Sequence, residues 1–253
     1  MRPRRWDPRI HVFPTVTSTQ DTILEAGEAG EPEGLTHIAR SQTRGRGRGT
    51  RVWFSPPGAG LWMSTLLRPT RNREFWGALS LLEACAARDA LSDIGVRGVE
   101  VYWPNDLCAG GKKLGGVLGD VRSRGERAWV ALGIGINIDF ERPEVRRSLP
   151  PEILAVATSL VGCGAPSTLD PVEIGRAVLA RFGDLYGRFE AGEDVLGPLG
   201  ATIAHVGRRV EVRVEGQSPW EGAVHGLGPR GELLVRVEGR VAAVLAGEVR
   251  YAT

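Results

Sequence analysis

VEVYWPNDLCAGGKKLGGVLGDVRSRGERAWVALGIGINI, residues 99–138, is the stretch whose texture decides the fold. Apolar runs from Val99 to Trp103, Leu114 to Val121 and Ala128 to Ile138 are closed by the turn signals PND, RSRGE and DFERPE, which predicts successive strands of a sheet with long loops. In the last run Gly133-Ile134-Gly135-Ile136-Asn137 alternates, so both glycines face one way and both isoleucines the other. Glycine weakens a strand, and what it gives in return is room, either for a flat ligand or for close packing of a neighbouring strand or helix.

Upstream, Ile10 to Val16 reads as a strand, and Thr17-Ser18 caps a helix carrying Ile23 and Leu24, which puts Ser18, Thr19 and Gln20 at a strand-to-helix junction. Leu35 to Ala39 is a further strand. After the polar loop SQTRGRGRGTR, the segment VWFSPPGAGLWMSTLLRP reads as a strand, a Pro-Gly turn and another strand. Leu79, Leu82, Ala86 and Ala90 have helical spacing within Phe75 to Ile94. Downstream, Asp170-Pro171-Val172-Glu173 opens a helix with a capping residue, a proline at its first position and a glutamate three after the cap. Ile174, Val178, Phe182, Leu185 and Phe189 give that helix an apolar stripe. From about Val206 the chain breaks into short alternating pieces separated by glycine turns, the pattern of a small antiparallel barrel. The prediction is an α+β protein, with a mixed or antiparallel sheet domain over residues 1–200 and a small β-barrel over residues 201–253.

Composition limits the function. A net charge of +2 on 253 residues argues against nucleic acid or anionic membrane as the main partner. Cys85, Cys108 and Cys163 are odd in number and widely spaced, which argues against a disulfide framework or zinc site and fits a reducing compartment. The start MRPRRWDPRIHVF lacks the apolar stretch of a signal peptide, and the longest apolar run, near Trp129 to Ile138, is far short of a membrane span, so a soluble cytoplasmic protein is expected. The scattered histidines have no ligand spacing, and no Ser-His-Asp or Cys-His arrangement is visible.

All the basic residues are arginine except Lys112 and Lys113, and amide side chains are rare, yet Gln20, Gln42, Asn105 and Asn137 fall in the motif-like stretches. In Gly45-Arg46-Gly47-Arg48-Gly49-Thr50-Arg51, residues whose backbone can approach a ligand closely alternate with planar, permanently charged forks. That composition suits a phosphate cradle, while an RNA-binding arginine–glycine segment and a solvated basic loop are the rival readings. No Gly-Lys-Ser/Thr is present, so it is not a P-loop. Pro104 after the strand aromatics turns the chain so that Asn105 and Asp106 project from a corner beside Lys112 and Lys113. Lys113, adjoining the apolar strand, is the better candidate for a compact cation facing a carboxylate and a phosphate; an ordinary turn with incidental lysines is the alternative. Trp53 fits either a cover over an apolar ring or a core position.

In chain order, STQ (18–20), the loop SQTRGRGRGTRVW (41–53), WPND (103–106), KKLGG (112–116) and GIGIN (133–137) resemble the biotin protein ligase family. The resemblance spans essentially the whole chain. It implies a catalytic domain like class II aminoacyl-tRNA synthetases, an SH3-like C-terminal barrel, and a form without an N-terminal DNA-binding domain. The activity implied is ATP-dependent formation of biotinyl-5'-AMP, with magnesium, and transfer of biotin to a lysine of a biotin carboxyl carrier protein. By motif match, Ser18, Thr19, Gln42 and Gly45 would hold biotin, and Gly116, Gly133 and Gly135 would line its slot. Arg46 and Arg48 would hold phosphates and adenylate, and Lys113 would bridge the biotin carboxylate and the α-phosphate. Arg51, Trp53, Asn105, Asp106 and Asn137 would serve the nucleotide, with Asp106 at the magnesium. A homodimer is compatible with this reading; a specific nucleic acid or membrane partner is not expected. The chain departs from the family pattern at Gly49-Thr50, where residue-glycine is usual, and at Tyr102, where lysine is usual. A lipoate- or octanoate-type protein ligase is the neighbouring alternative, and an RNA-binding protein is the alternative of another class.

Overall fold

A computed structural model describes residues 6–251; the charged start Met1 to Arg5 and the last two residues of the predicted barrel lie outside the described residues. The chain runs β1 (Arg9–Phe13), α1 (Thr19–Ala29), β2 (Leu35–Ala39), β3 (Gly60–Leu67), α2 (Ala78–Asp93), β4 (Val99–Tyr102), β5 (Asp106–Ala109), β6 (Lys112–Arg124) and β7 (Arg127–Asn137). It continues through α3 (Pro143–Ser148), α4 (Pro151–Val156), α5 (Pro171–Glu190) and α6 (Leu196–Gly200) to β8 (Arg209–Arg213), β9 (Trp220–Leu227), β10 (Leu233–Val237), β11 (Arg240–Val244) and β12 (Glu248–Tyr251). The first seven strands form one mixed sheet in the order β1-β2-β3-β7-β6-β5-β4, in which only β1 and β2 run parallel. The last five form an antiparallel sheet in the order β11-β10-β9-β8-β12. The expected α+β class with a second, small β unit is thus observed.

Strand alternation sorts the large sheet into two faces. Leu61, Met63 and Leu67 of β3 and Val130, Leu132, Ile134 and Ile136 of β7 join the main core with α2 and α5, and that core continues into Val210, Val224 and Val235 of the second sheet. Leu79, Leu82, Ala86 and Ala90, predicted from their spacing, are all buried there. Full burial of such a side chain stabilises by roughly 1.5–3 kcal/mol, so Leu79→Ala costs about 2–5 kcal/mol. On the opposite face, α1 packs Ile23 against Leu66, Trp129 and Ala131. The predicted caps form: Ser18 Oγ accepts from Gln20 N at 3.2 Å, and Asp170 Oδ1 from Val172 N at 2.9 Å.

Several expectations are corrected. β1 stops at Phe13, because Pro14 offers no N–H to the ladder, and Val16 makes only a lone bridge to Gln42. The strand predicted at Val52 to Phe54 is absent: Val52 bridges Arg46 alone, and Pro56-Pro57 interrupt the run. α2 begins at Ala78, not Phe75, after a single 3-10 turn at Arg73–Phe75. Asp106 to Ala109, read only as a corner, is the strand β5; the short helix α3 starts on Pro143, within the segment DFERPE read as a turn, and the short helix α4 starts on Pro151.

Candidate functional site

Register builds the floor of a cleft of about 1030 Å³ on the α1 face of the large sheet. Trp62, Gly135, Gly116 and Asp106 stand side by side across β3, β7, β6 and β5, and the next row is Ser64, Gly133 and Leu118. A third row is Leu66, Ala131 and Asp120. Two residues of strand separate successive rows, so the first and third lie about 13 Å apart. The two β7 glycines therefore share the cleft face, as their spacing predicted. Both spaces are partly used by the protein itself: a Cβ on Gly133 would collide with Gln20 Oε1, and one on Gly135 would come within 2.6 Å of the Trp53 ring.

Toward α1, the groups on Thr19, Gln20, Gln42, Ser55 and Ser64 are neutral and satisfy one another, with the Arg46 ion pairs to Asp21 and Asp120 behind them. Gln42 Oε1 accepts from Thr19 N at 2.8 Å and Thr19 Oγ1 at 3.2 Å, and its Nε2 donates to Ser55 Oγ at 2.8 Å. Thr19 Oγ1 lies 2.9 Å from Ser64 Oγ, and Ser64 donates to Gln20 Oε1 at 3.0 Å. Ser18 is buried with its hydroxyl committed to the helix cap. Gly45 does not line the cleft; its bare Cα lets Gln42 and Trp53 approach, and its carbonyl accepts from Trp53 N at 2.9 Å.

The opposite end carries charge. Lys113 Nζ donates to Asp106 Oδ1 at 2.7 Å and sits 5.6 Å from the Trp53 ring, which meets Trp62 edge-on at 6.4 Å. Asn105 fixes the corner by donating Nδ2 to Val117 O at 2.5 Å and accepting from Val117 N at 2.8 Å. Asn137 is turned out of the cleft: its Nδ2 donates to Thr158 O at 2.9 Å, tying β7 to the segment after α4. Above the floor, Arg46 reaches Asp21 Oδ1 and Asp120 Oδ2, each at 3.0 Å, and Arg51 pairs with Glu248 of the second sheet at 3.5 Å. Arg48 lines the cleft and pairs with no carboxylate among the described residues.

The two departures acquire structures. Gly49 has φ +68°, and Arg51 N donates to Arg48 O at 3.4 Å, so glycine occupies the first central position of a tight turn that shapes the loop tip. Tyr102 packs edge-on against His205 at 4.7 Å, at the junction where Ala204 N donates to Val101 O and Trp103 Nε1 donates to Gly231 O. Burial pushes the thiols of Cys85 and Cys108 up to about 12, so neither is a nucleophile at neutral pH. Sequence reasoning did not assign Asp21, Asp120, Ser64 or Trp62 to the site, and left Gln20 at the junction without a role. The scarcity of glutamine marked Gln20, and a serine inside the apolar run of β3 was the available sign of Ser64.

The family of biotin/lipoate A/B protein ligases matches residues 12–137. The biotin–[acetyl-CoA-carboxylase] ligase of Mycobacterium tuberculosis is 30% identical over 252 residues, 96% of this chain and 89% of that one. The bifunctional ligase/repressor BirA of Bacillus subtilis is 38% identical over 146 residues, 57% of this chain but 44% of the relative, so the matched stretch spans less than half of that protein. A structure of a biotin protein ligase from Aquifex aeolicus in complex with biotin and ATP superposes with a TM-score of 0.78 at 28% identity, covering 96% of this chain and 99% of that one. Sequence and fold agree: the chain belongs to the biotin/lipoate A/B protein ligase family.

Proposed function

We propose that this chain is a biotin protein ligase that condenses biotin with ATP to biotinyl-5'-AMP, releasing pyrophosphate, and then passes the biotinyl group to a lysine of a biotin carboxyl carrier protein, releasing AMP. The observation that carries the reading is the arrangement of the cleft: a glycine-floored slot lined toward α1 by the neutral hydrogen-bonding groups of Thr19, Gln42 and Ser64, with the cation Lys113 at the far end. Ser18, Thr19 and Gln42 surround the ring end, and Gly116, Gly133 and Gly135 form the floor. The three donors of the Lys113 ammonium allow it to hold Asp106 and still meet a carboxylate and an α-phosphate oxygen. Arg48, Arg51, Trp53, Asn105 and Asp106 serve the nucleotide, while Asn137 and Gly45 act as supports. Catalysis rests on positioning, on neutralising charge as the carboxylate attacks phosphorus, and on the loop excluding water from the mixed anhydride.

Magnesium enters with ATP as part of the substrate. Lys113 occupies Asp106 Oδ1, and among the described residues no group of three or more His, Cys, Asp or Glu converges. One remaining carboxylate oxygen suits an ion carried mainly by phosphate and water oxygens. The same reading includes the division into residues 1–200 and 201–253 and a cytoplasmic setting, and it is compatible with a homodimer. No helix among the described residues is long and apolar enough to cross a membrane. ATP–pyrophosphate exchange with biotin, lipoate and octanoate offered separately tests the assignment: exchange with biotin alone is expected, and exchange with lipoate or octanoate alone would move the chain to the neighbouring activity.

A further inference from the structure

The loop arginines are not equivalent. Arg46 spends its fork on two carboxylates from different elements, Asp21 of α1 and Asp120 of β6, each at 3.0 Å. Asp120 also accepts from Gln20 Nε2 at 3.3 Å, and Gln20 accepts from Ser64. The clasp is thus wired to the floor of the slot. One guanidinium and two carboxylates sum to a formal −1, which repels a phosphate instead of gathering one. It stands at the third row of the floor, about 13 Å from the row that carries Asp106 and Lys113. Arg48, in contrast, has no carboxylate partner among the described residues and lines the cleft.

We propose that Asp21 and Asp120 are positioning residues that turn Arg46 into a strut, pinning the base of the loop to α1 and β6 in the absence of ligand and closing the ring end of the cleft to anions. Within the loop, phosphate binding then falls to Arg48. The clasp faces inward onto Gln20 and joins the loop to two elements, α1 and β6, so it is more than a chance surface pair. It also fixes the direction in which an acyl substrate enters, neutral ring toward the clasp and carboxylate toward Lys113. This orientation rests on the ligase reading; the ordering of the loop does not.

The first test therefore uses no substrate. In ligand-free protein, hydrogen exchange at the amides of Gly47 and Trp53, bonded to Arg51 O and Gly45 O, is expected to speed up about threefold to tenfold in Asp120→Asn and Asp21→Asn, with the β6–β7 ladder unchanged. Unchanged loop exchange in both variants and in the double variant would overturn the strut. The second test is biotin-dependent pyrophosphate exchange. The Asp variants and Arg46→Gln are expected to raise the KM for biotin several-fold with kcat within about twofold, whereas Arg48→Gln raises the KM for ATP and lowers kcat. Arg46→Gln behaving like Arg48→Gln would overturn the division of roles. A wild-type chain without biotin-dependent exchange would instead remove the ligase reading and leave the loop result standing.

Discussion

The two ends of the cleft are built by opposite means. At the α1 end, Thr19, Gln20, Gln42, Ser55 and Ser64 satisfy one another in a buried neutral network, which rigidifies that end because each unpaired member would cost about 1–3 kcal/mol. At the other end, Lys113 and Asp106 form a single pair about a third exposed, which water screens and a ligand can rearrange. Shape recognition belongs where the neutral network is complete, and chemistry where a cation stays open to rearrangement by a ligand.

The largest break in this contrast comes from Lys113→Gln, expected to lower the maximal rate of pyrophosphate exchange by about 10²–10³ while circular dichroism and melting stay near wild type. Gly133→Val drives a side chain into Gln20 Oε1 and fills the slot. A rise of tenfold or more in the KM for biotin is expected, with about 1–3 kcal/mol lost in urea unfolding. Ser64→Ala leaves Gln20 Oε1 without its donor; a several-fold rise in that KM with kcat retained is the expected outcome, at about 1–2 kcal/mol of stability.

Glu83, a buried core carboxyl with Oε2 unpartnered, sharpens the contrast from outside the cleft, since no cation pairs with it among the described residues. Burial holds its pKa well above 4.5, so the neutral form is favoured in the fold. Its contribution is complete below the unfolded value and is lost as pH rises through the folded one. Glu83→Gln should therefore stabilise by roughly 1–3 kcal/mol at pH 8 and by little at pH 4, read from melting curves across that range. The smallest effect is expected from Gly49→Ala, where an added Cβ meets nothing within 4 Å and the cost is the left-handed backbone alone, about 1 kcal/mol against the ordered loop tip.

Features carried by local pattern were legible in the sequence. The alternation at Gly133 and Gly135 gave the cleft face of β7, and Asp170-Pro171 gave the start of α5. What escaped was long-range or too short to be periodic. Nothing near Arg46 announces that its partners are Asp21 and Asp120, because that pairing exists only once α1, the loop and β6 have met. β5 is four residues long, too few for an alternation to show, and the true place of Trp53 depends on the space Gly135 leaves. The family resemblance supplied biotin; the residues alone reached a phosphate-handling site made of an arginine–glycine loop, a lysine corner and a glycine-faced strand.

Biotin-dependent ATP–pyrophosphate exchange, compared between wild type, Lys113→Gln and Ser64→Ala, tests the division of the cleft most directly. The account predicts robust exchange in wild type, loss of maximal rate in Lys113→Gln, and a raised biotin KM with retained rate in Ser64→Ala. No exchange in wild type, or the same kinetic defect in both variants, would contradict it.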